Sequence, residues 1–212
     1  VGETPYQFYG YQTRGIYAST AEAQASGLKN TYGNSYQGGD VIFVDQNGDG
    51  IINDEDRTTL GKATPDLYGS FGTSLQWRHW TLSADFGFSI GNDAYNATRR
   101  QTESMDNFFN QSTSVLNRWQ IEGQQASMPR AAYGDPSGNN FFSDRWVENA
   151  SYLKLRNLQL SYAFTKKQLK FASGSIWASA ENLWTLTDYL GGDPEFSYSY
   201  TEALRGFDYA KV

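Results

Sequence analysis

The chain has 212 residues, no cysteine, a single histidine and a formal net charge of −6, with a sequence pI of about 4.8. This length suits one sizeable domain or part of a larger protein, and the lack of cysteine excludes disulfide frameworks and thiolate metal sites. The acidic balance argues against a nucleic-acid partner, which calls for a basic face, and at a mean hydropathy of −0.63 no run reaches the roughly 20 apolar residues of a membrane-spanning helix.

A membrane β-barrel stays open, because its strands alternate and average out polar. Aromatic residues make up 16% and there are 21 glycines. Aromatics favour pleated strands and glycine favours turns and bulges, so the expected class is all-β. Val1-Gly2-Glu3 is not followed by a charged segment and an apolar run, so any signal peptide is expected outside this sequence.

In chain order, an aromatic, Gly-punctuated segment, 6–17, leads into a predicted short helix over Thr20–Ser26, with Ser19 or Thr20 as its cap. A Gly/Asn/Ser-rich loop occupies 30–39. Residues 40–44 read as a short strand entering an acidic loop, and Leu60-Gly61 closes that unit. In 80–89 the even positions are Trp, Leu, Ala, Phe and Phe and the odd ones Thr, Ser, Asp, Gly and Ser, a strict period of two. Residues 67–77 alternate likewise. Arg78-His79 between the runs predicts a tight hairpin turn.

Residues 91–148 are polar and irregular, an awkward length for a loop in a compact soluble domain but ordinary outside a membrane barrel. Strand character returns over 152–164. Leu153 and Leu155 fall on one phase and Leu158, Leu160, Tyr162 and Phe164 on the other, which predicts a β-bulge near Arg156-Asn157. A polar connection, 166–170, precedes a further strand over 175–187 containing Trp177 and Trp184. The tail, 188–212, reads as loop.

Alternation suits a soluble sandwich, its apolar face against a second sheet, or a barrel wall, its apolar face against lipid. Trp77 and Trp80 flank the short turn, where an interfacial aromatic girdle would lie. The turn is very short and the connection after Ser89 very long, the asymmetry of a barrel.

The acidic loop, 45–56, carries oxygen-bearing side chains at positions 1, 3, 5, 9 and 12 and glycine at 6, the ligand rhythm of an EF-hand. Asp45, Asn47, Asp49 and Asp56, the Ile51 carbonyl and Asn53 are the expected calcium ligands. Asp56 replaces the usual glutamate at position 12 and reaches less far. Six acidic residues between Asp40 and Asp56 repel one another unless a cation or water screens them; the competing reading is an Asx- and Gly-rich surface turn without metal. Tyr133, Phe141, Phe142 and Trp146 are candidates for stacking on sugar or peptide, against the plainer reading that most aromatics pack strands. His79 sits in a turn without an acid or nucleophile partner, so catalysis is not expected.

Several pieces together resemble the SusC/RagA family of TonB-dependent outer-membrane transporters. They are Gly39-Asp40-Val41 with the loop 45–50, Asp54-Glu55-Asp56-Arg57-Thr58, Leu60-Gly61 and Pro65-Asp66. Next come 86–96, ending Gly91-Asn92-Asp93-Ala94-Tyr95-Asn96, and 142–157, from Phe142-Ser143-Asp144-Arg145-Trp146. The last is Ala180-Glu181-Asn182-Leu183-Trp184-Thr185 with Asp193-Pro194-Glu195. The resemblance runs in order from about Tyr9 to Glu195 and implies that 1–212 is a C-terminal part of a large antiparallel transmembrane β-barrel with long extracellular loops. It implies uptake of oligosaccharide or peptide across the outer membrane of Bacteroidetes-type Gram-negative cells, beside a SusD-like lipoprotein, with energy from the TonB system through a plug domain that is not in this chain. The five or six strands counted fall short of the roughly 22 of a plugged transporter, so closure would need further strands. The alternative is a secreted, soluble β-sandwich whose structural calcium loop serves carbohydrate binding or adhesion.

Overall fold

The computed structural model describes residues 5–195 and the backbone of 210–211. The elements in chain order are β1 (Gln7–Tyr11), β2 (Thr13–Ile16), α1 (Thr20–Ser26), β3 (Lys29–Asn30), β4 (Val41–Phe43), β5 (Ile51–Ile52), β6 (Arg57–Lys62), β7 (Leu67–Trp77), β8 (Trp80–Ile90), β9 (Asp93–Tyr95) and α2 (Ala97–Glu103). They continue with β10 (Val147–Asn149), β11 (Tyr152–Phe164), α3 (Lys166–Leu169), β12 (Gly174–Thr187) and β13 (Ala210–Lys211).

The long strands form one antiparallel sheet in the order β12-β11-β8-β7. Its register carries every apolar row to the same face. Trp77, Trp80, Tyr162 and Ile176 align across it, then Leu75, Leu82, Leu160 and Ala178, then Phe71, Phe86, Leu155 and Trp184. Phe71 stacks on Phe86 with centroids 4.9 Å apart, and Trp80 meets Tyr162 edge-on at 4.7 Å. The opposite face reads Ser70, Gly87, Lys154 and Thr185 in one row and Ser74, Ser83, Gln159 and Ser179 in another. A one-residue slip would exchange the faces, so the register follows from the alternation.

The bulge lies where the phase change placed it. Pairing jumps from Leu155 to Asn157 against β8, leaving Arg156 extra. Against β12 it jumps from Trp184 to Glu181, with Asn182 at φ 51°. Trp177, an odd number of positions from Trp184, falls in the polar row opposite Ser161.

The hairpin turn is Arg78-His79, with Arg78 at φ 56°. The polar connection expected over 166–170 contains the single helical turn α3, at whose start Thr165 N and Oγ1 donate to Gln168 Oε1 at 2.8 and 3.0 Å. Both short connections lie at the Trp77–Trp80 end of the sheet.

At the other end the remaining segments form a lobe. Residues 91–148 are not an open loop: β9 pairs with β10, α2 is capped by Asn96, and 3-10 turns occupy 113–117 and 144–146. β1 pairs with β6, β2 with β4, and β3 runs parallel to β5. Ser19 caps α1 and Gly27 ends it in the left-handed region, φ 70°. The main core joins Tyr11, Tyr17, Ala23, Tyr36, Val41, Phe43 and Ile52, and a smaller one joins Met105, Val115 and Met128. Gly10 lets the chain close: a Cβ there would lie 2.4 Å from the Phe142 carbonyl oxygen, the group that accepts from the Tyr11 amide at 2.9 Å. The tail, expected to be loop, pairs its β13 backbone with β1; the rest of that expectation, 196–209 and 212, lies outside the described residues.

Candidate functional site

The apolar face of the sheet is open. Leu75 is 63% exposed and Trp77 66%, with Phe71, Leu160, Ile176, Trp184 and Leu186 also exposed. No second sheet covers it among the described residues, so the sandwich arrangement is not formed. β7 and β12 are its unpaired edges among those residues, and the sheet is not closed.

The six expected ligand residues lie along the acidic turn, whose geometry is built from backbone amides. Asp45 accepts from Gly48 N at 2.7 Å and Gly50 N at 2.9 Å. These bonds, that from Gly50 foremost, hold its carboxyl below the usual carboxylate range. Asn47 accepts from Asp49 N, Asp49 from Ile51 N, and Asn53 from Glu55 N. Gly48 and Gly50 take φ 78° and 80°, a region glycine reaches at no steric cost. Asp56 is fully buried and accepts from Gln46 N and Asn53 N, both at 2.8 Å. It closes the turn like a staple, a role the spacing did not disclose. Among the described residues no three His, Asp or Glu side chains gather as a metal-holding group. Asp45, Asn47 and Asp49 keep the order of the expected ligands, while the carboxylates of Asp45 and Asp56 are both engaged by backbone amides.

Of the four aromatics considered for stacking, three are structural. Phe141 stacks on Tyr11 at 5.4 Å, Phe142 is buried, and Trp146 has no exposed surface. Tyr133 alone is open, stacked on the equally open Phe108 at 5.2 Å.

Two buried charge networks organise the lobe. Asp40 joins residues 37–41 to 130–139: it accepts from Gln37 N, Arg130 Nε, Ser137 Oγ and Asn139 Nδ2. Arg99 bonds Glu103 at 3.0 Å and Glu148 at 2.8 Å. Arg99 and Arg145 both lie over the Trp146 ring, at 5.8 and 4.7 Å. Burial brings the Arg145 guanidinium down to about 10, still charged at neutral pH.

A third cluster lies on the polar face of the sheet. Lys154, 4% exposed, bonds Asp193 at 2.7 Å and Glu195 at 3.1 Å. Arg156, raised by the bulge, also pairs with Glu195. Beside it is an open cleft of about 570 Å³, lined by Tyr68, Ser70, Ser89, Tyr152, Arg156 and Glu195 among others. The sequence reading overlooked this cluster, although a lysine inside an alternating strand next to a predicted bulge was a usable signal.

No protein-family profile matches the chain. TonB-dependent receptor P3 of Formosa agariphila is 30% identical over 200 residues, which is 93% of this chain and 19% of that protein. TonB-dependent receptor SusC of Bacteroides thetaiotaomicron is 27% identical over 73% of this chain and 15% of its own length. The chain thus spans about a fifth of the curated relatives it matches. Among solved structures, the RagAB peptide transporter aligns with a TM-score of 0.67 and the open-open RagAB peptide importer with 0.69. Both are 25% identical, over 90% and 92% of this chain and 20% of those chains.

Proposed function

We propose, from the premise that this chain is a portion of a SusC/RagA-type TonB-dependent receptor, that its sheet is wall and its lobe outer mouth in an outer-membrane importer. Strands β7, β8, β11 and β12 would span the membrane as part of a large antiparallel barrel, apolar rows toward lipid and hydroxyl rows toward the lumen. The lobe would stand outside, under a SusD-like lipoprotein. TonB would act through a plug elsewhere in the receptor. The cargo would be an oligosaccharide or peptide, passed by binding and gated movement rather than bond chemistry.

The observation that carries this reading is the register. Four strands place all their aligned apolar rows on one uncovered face, an apolar area that soluble monomers rarely leave open and that hydrocarbon would cover. The test uses single cysteines at Leu82, Ser83, Gln159 and Leu160 in a cysteine-free full-length receptor in liposomes. A charged, membrane-impermeant thiol reagent is expected to modify positions 83 and 159 and spare 82 and 160. Equal modification at all four positions defeats the lipid assignment.

The acidic turn is proposed as a calcium site, with Asp45, Asn47, Asp49, Asn53 and Asp56 and the Ile51 carbonyl as donors. Its support is the spacing of Asp45, Asn47 and Asp49; its role would be to stiffen the turn between β4 and β6. Calcium at 100 times its dissociation constant should stabilise the full-length receptor by about 2.7 kcal/mol, seen as a raised melting temperature that Asp45→Ala and Asp49→Ala each abolish. An unchanged melting temperature and no calorimetric heat on adding calcium would count against it.

A further inference from the structure

We propose that Lys154 and Arg156 form a carboxylate-binding pair on the polar face of the wall, occupied in this structure by the chain's own Asp193 and Glu195, and that a carboxylate on incoming cargo exchanges with them. The proposal rests on the transporter reading, which makes that face the lumen.

The pair is built by the fold. In a regular strand Asn157 would face opposite to Arg156. The bulge turns both inward, so that Arg156 lies over Gly87 and Asn157 reaches Asp85 at 3.4 Å. A Cβ on Gly87 would sit 2.3 Å from Arg156 Nε, so glycine there leaves the room the guanidinium fills. Lys154 faces the same glycine across the register. With Asp193 and Glu195 in place its side chain is only 4% exposed. Nothing in the pair requires that its carboxylate come from this chain.

The present occupants belong to the segment that follows β12. Its first contacts are Tyr189 N to Thr187 Oγ1 and Leu190 N to Glu148 Oε2. Beyond Leu190, among the described residues, its polar contacts with the sheet run through Asp193 and Glu195 alone. Tethering gives these internal carboxylates a high effective concentration. A competing ligand must therefore bring further contacts, and the adjoining cleft offers them: Tyr68, Ser70, Ser89 and Tyr152 line it with Arg156 and Glu195. The ligand class that fits is a short hydrogen-bonding chain bearing carboxylates, either an acidic peptide or an oligosaccharide of uronic acids.

The experiment is calorimetric titration of the full-length receptor with triglutamate and trigalacturonate, and with their neutral counterparts triglutamine and galactotriose. The acidic probes are expected to bind about tenfold or more tighter than the neutral ones. Asp193→Asn with Glu195→Gln removes the internal competitor and should tighten acidic probes about tenfold, whereas Lys154→Gln with Arg156→Gln should weaken them by as much; neutral probes should be unchanged in both. A merely structural latch would move both variants in the same direction. Which acidic probe binds tells peptide from glycan. Equal affinity for acidic and neutral probes, or weaker acidic binding after removal of Asp193 and Glu195, overturns the proposal. If the lysine–arginine variant fails to fold, the variant on the open segment decides alone. The transporter reading is judged separately, by a thiol pattern that touches neither cation.

Discussion

Replacing Asp40 by alanine is expected to destabilise the lobe by about 3–5 kcal/mol. Asp40 has no exposed surface and its carboxylate is fully engaged: Gln37 N at 2.9 Å, Arg130 Nε at 2.7 Å, Ser137 Oγ at 3.0 Å and Asn139 Nδ2 at 3.1 Å. Alanine would leave the Arg130 charge without its carboxylate, with Ser137 Oγ as a remaining acceptor, and would strand the Gln37 and Asn139 donors; unmade buried bonds cost more than made ones return. The damage should spread, because Asn139 also accepts from Val41 N at 2.8 Å and Arg130 N donates to the Gly39 carbonyl. Hydrogen exchange of the full-length receptor should show lost protection across 37–41 and 130–140 with the sheet amides unchanged. Coupling to Arg130→Ala in a double-mutant cycle should be large; protection within about 0.5 kcal/mol of wild type, the range of ordinary surface changes, would refute the assignment.

Trp146→Ala is expected to cost a similar amount, about 3–5 kcal/mol, the usual loss for a fully buried tryptophan. The ring is also the surface on which two guanidiniums rest. Arg99 keeps Glu103 and Glu148 after the ring is removed. Arg145 keeps its bond to the Asn139 carbonyl at 2.9 Å but loses the aromatic face that offsets part of its burial. Trp146→Phe should cost less, since it preserves an aromatic face and removes an indole N–H that has no partner among the described residues. Thermal unfolding of the receptor variants checks the order; equal losses for Ala and Phe would mean that the ring's volume and face are not what matters.

The parts legible in the sequence were those governed by a local period. β7 and β8 are regular ribbons whose alternation named both faces, and the phase change between Leu155 and Leu158 located the bulge because side chains cannot switch faces otherwise. The lobe has no period to read. Its strands are short, and contacts such as Trp119 Nε1 to the Ala18 carbonyl or Asn139 to Val41 link residues about a hundred positions apart. For the same reason Phe141, Phe142 and Trp146 looked like candidate ligand contacts: in irregular chain, a buried aromatic and an open one have the same surroundings in sequence. The acidic turn was ambiguous for a different reason. Oxygens at alternate positions are what a cation needs and also what the amides of tight Gly turns need; the spacing of Asp45, Asn47 and Asp49 serves either use. Lys154 and its partners were hidden by distance, since Asp193 lies 39 positions away.

The hairpin leaves the lobe and returns to it at nearly one point. Asp66 N donates to the Ile90 carbonyl at 2.9 Å, and Leu67 pairs with Ile90. The ribbon between them is therefore held at that junction and along one edge, where β8 pairs with β11 from Trp80 to Ser89. Exchange of that ribbon for another, by recombination or by design, would keep its single point of entry but must still present the same alternation to β11, so the pattern of β8 is the part that such shuffling cannot vary freely.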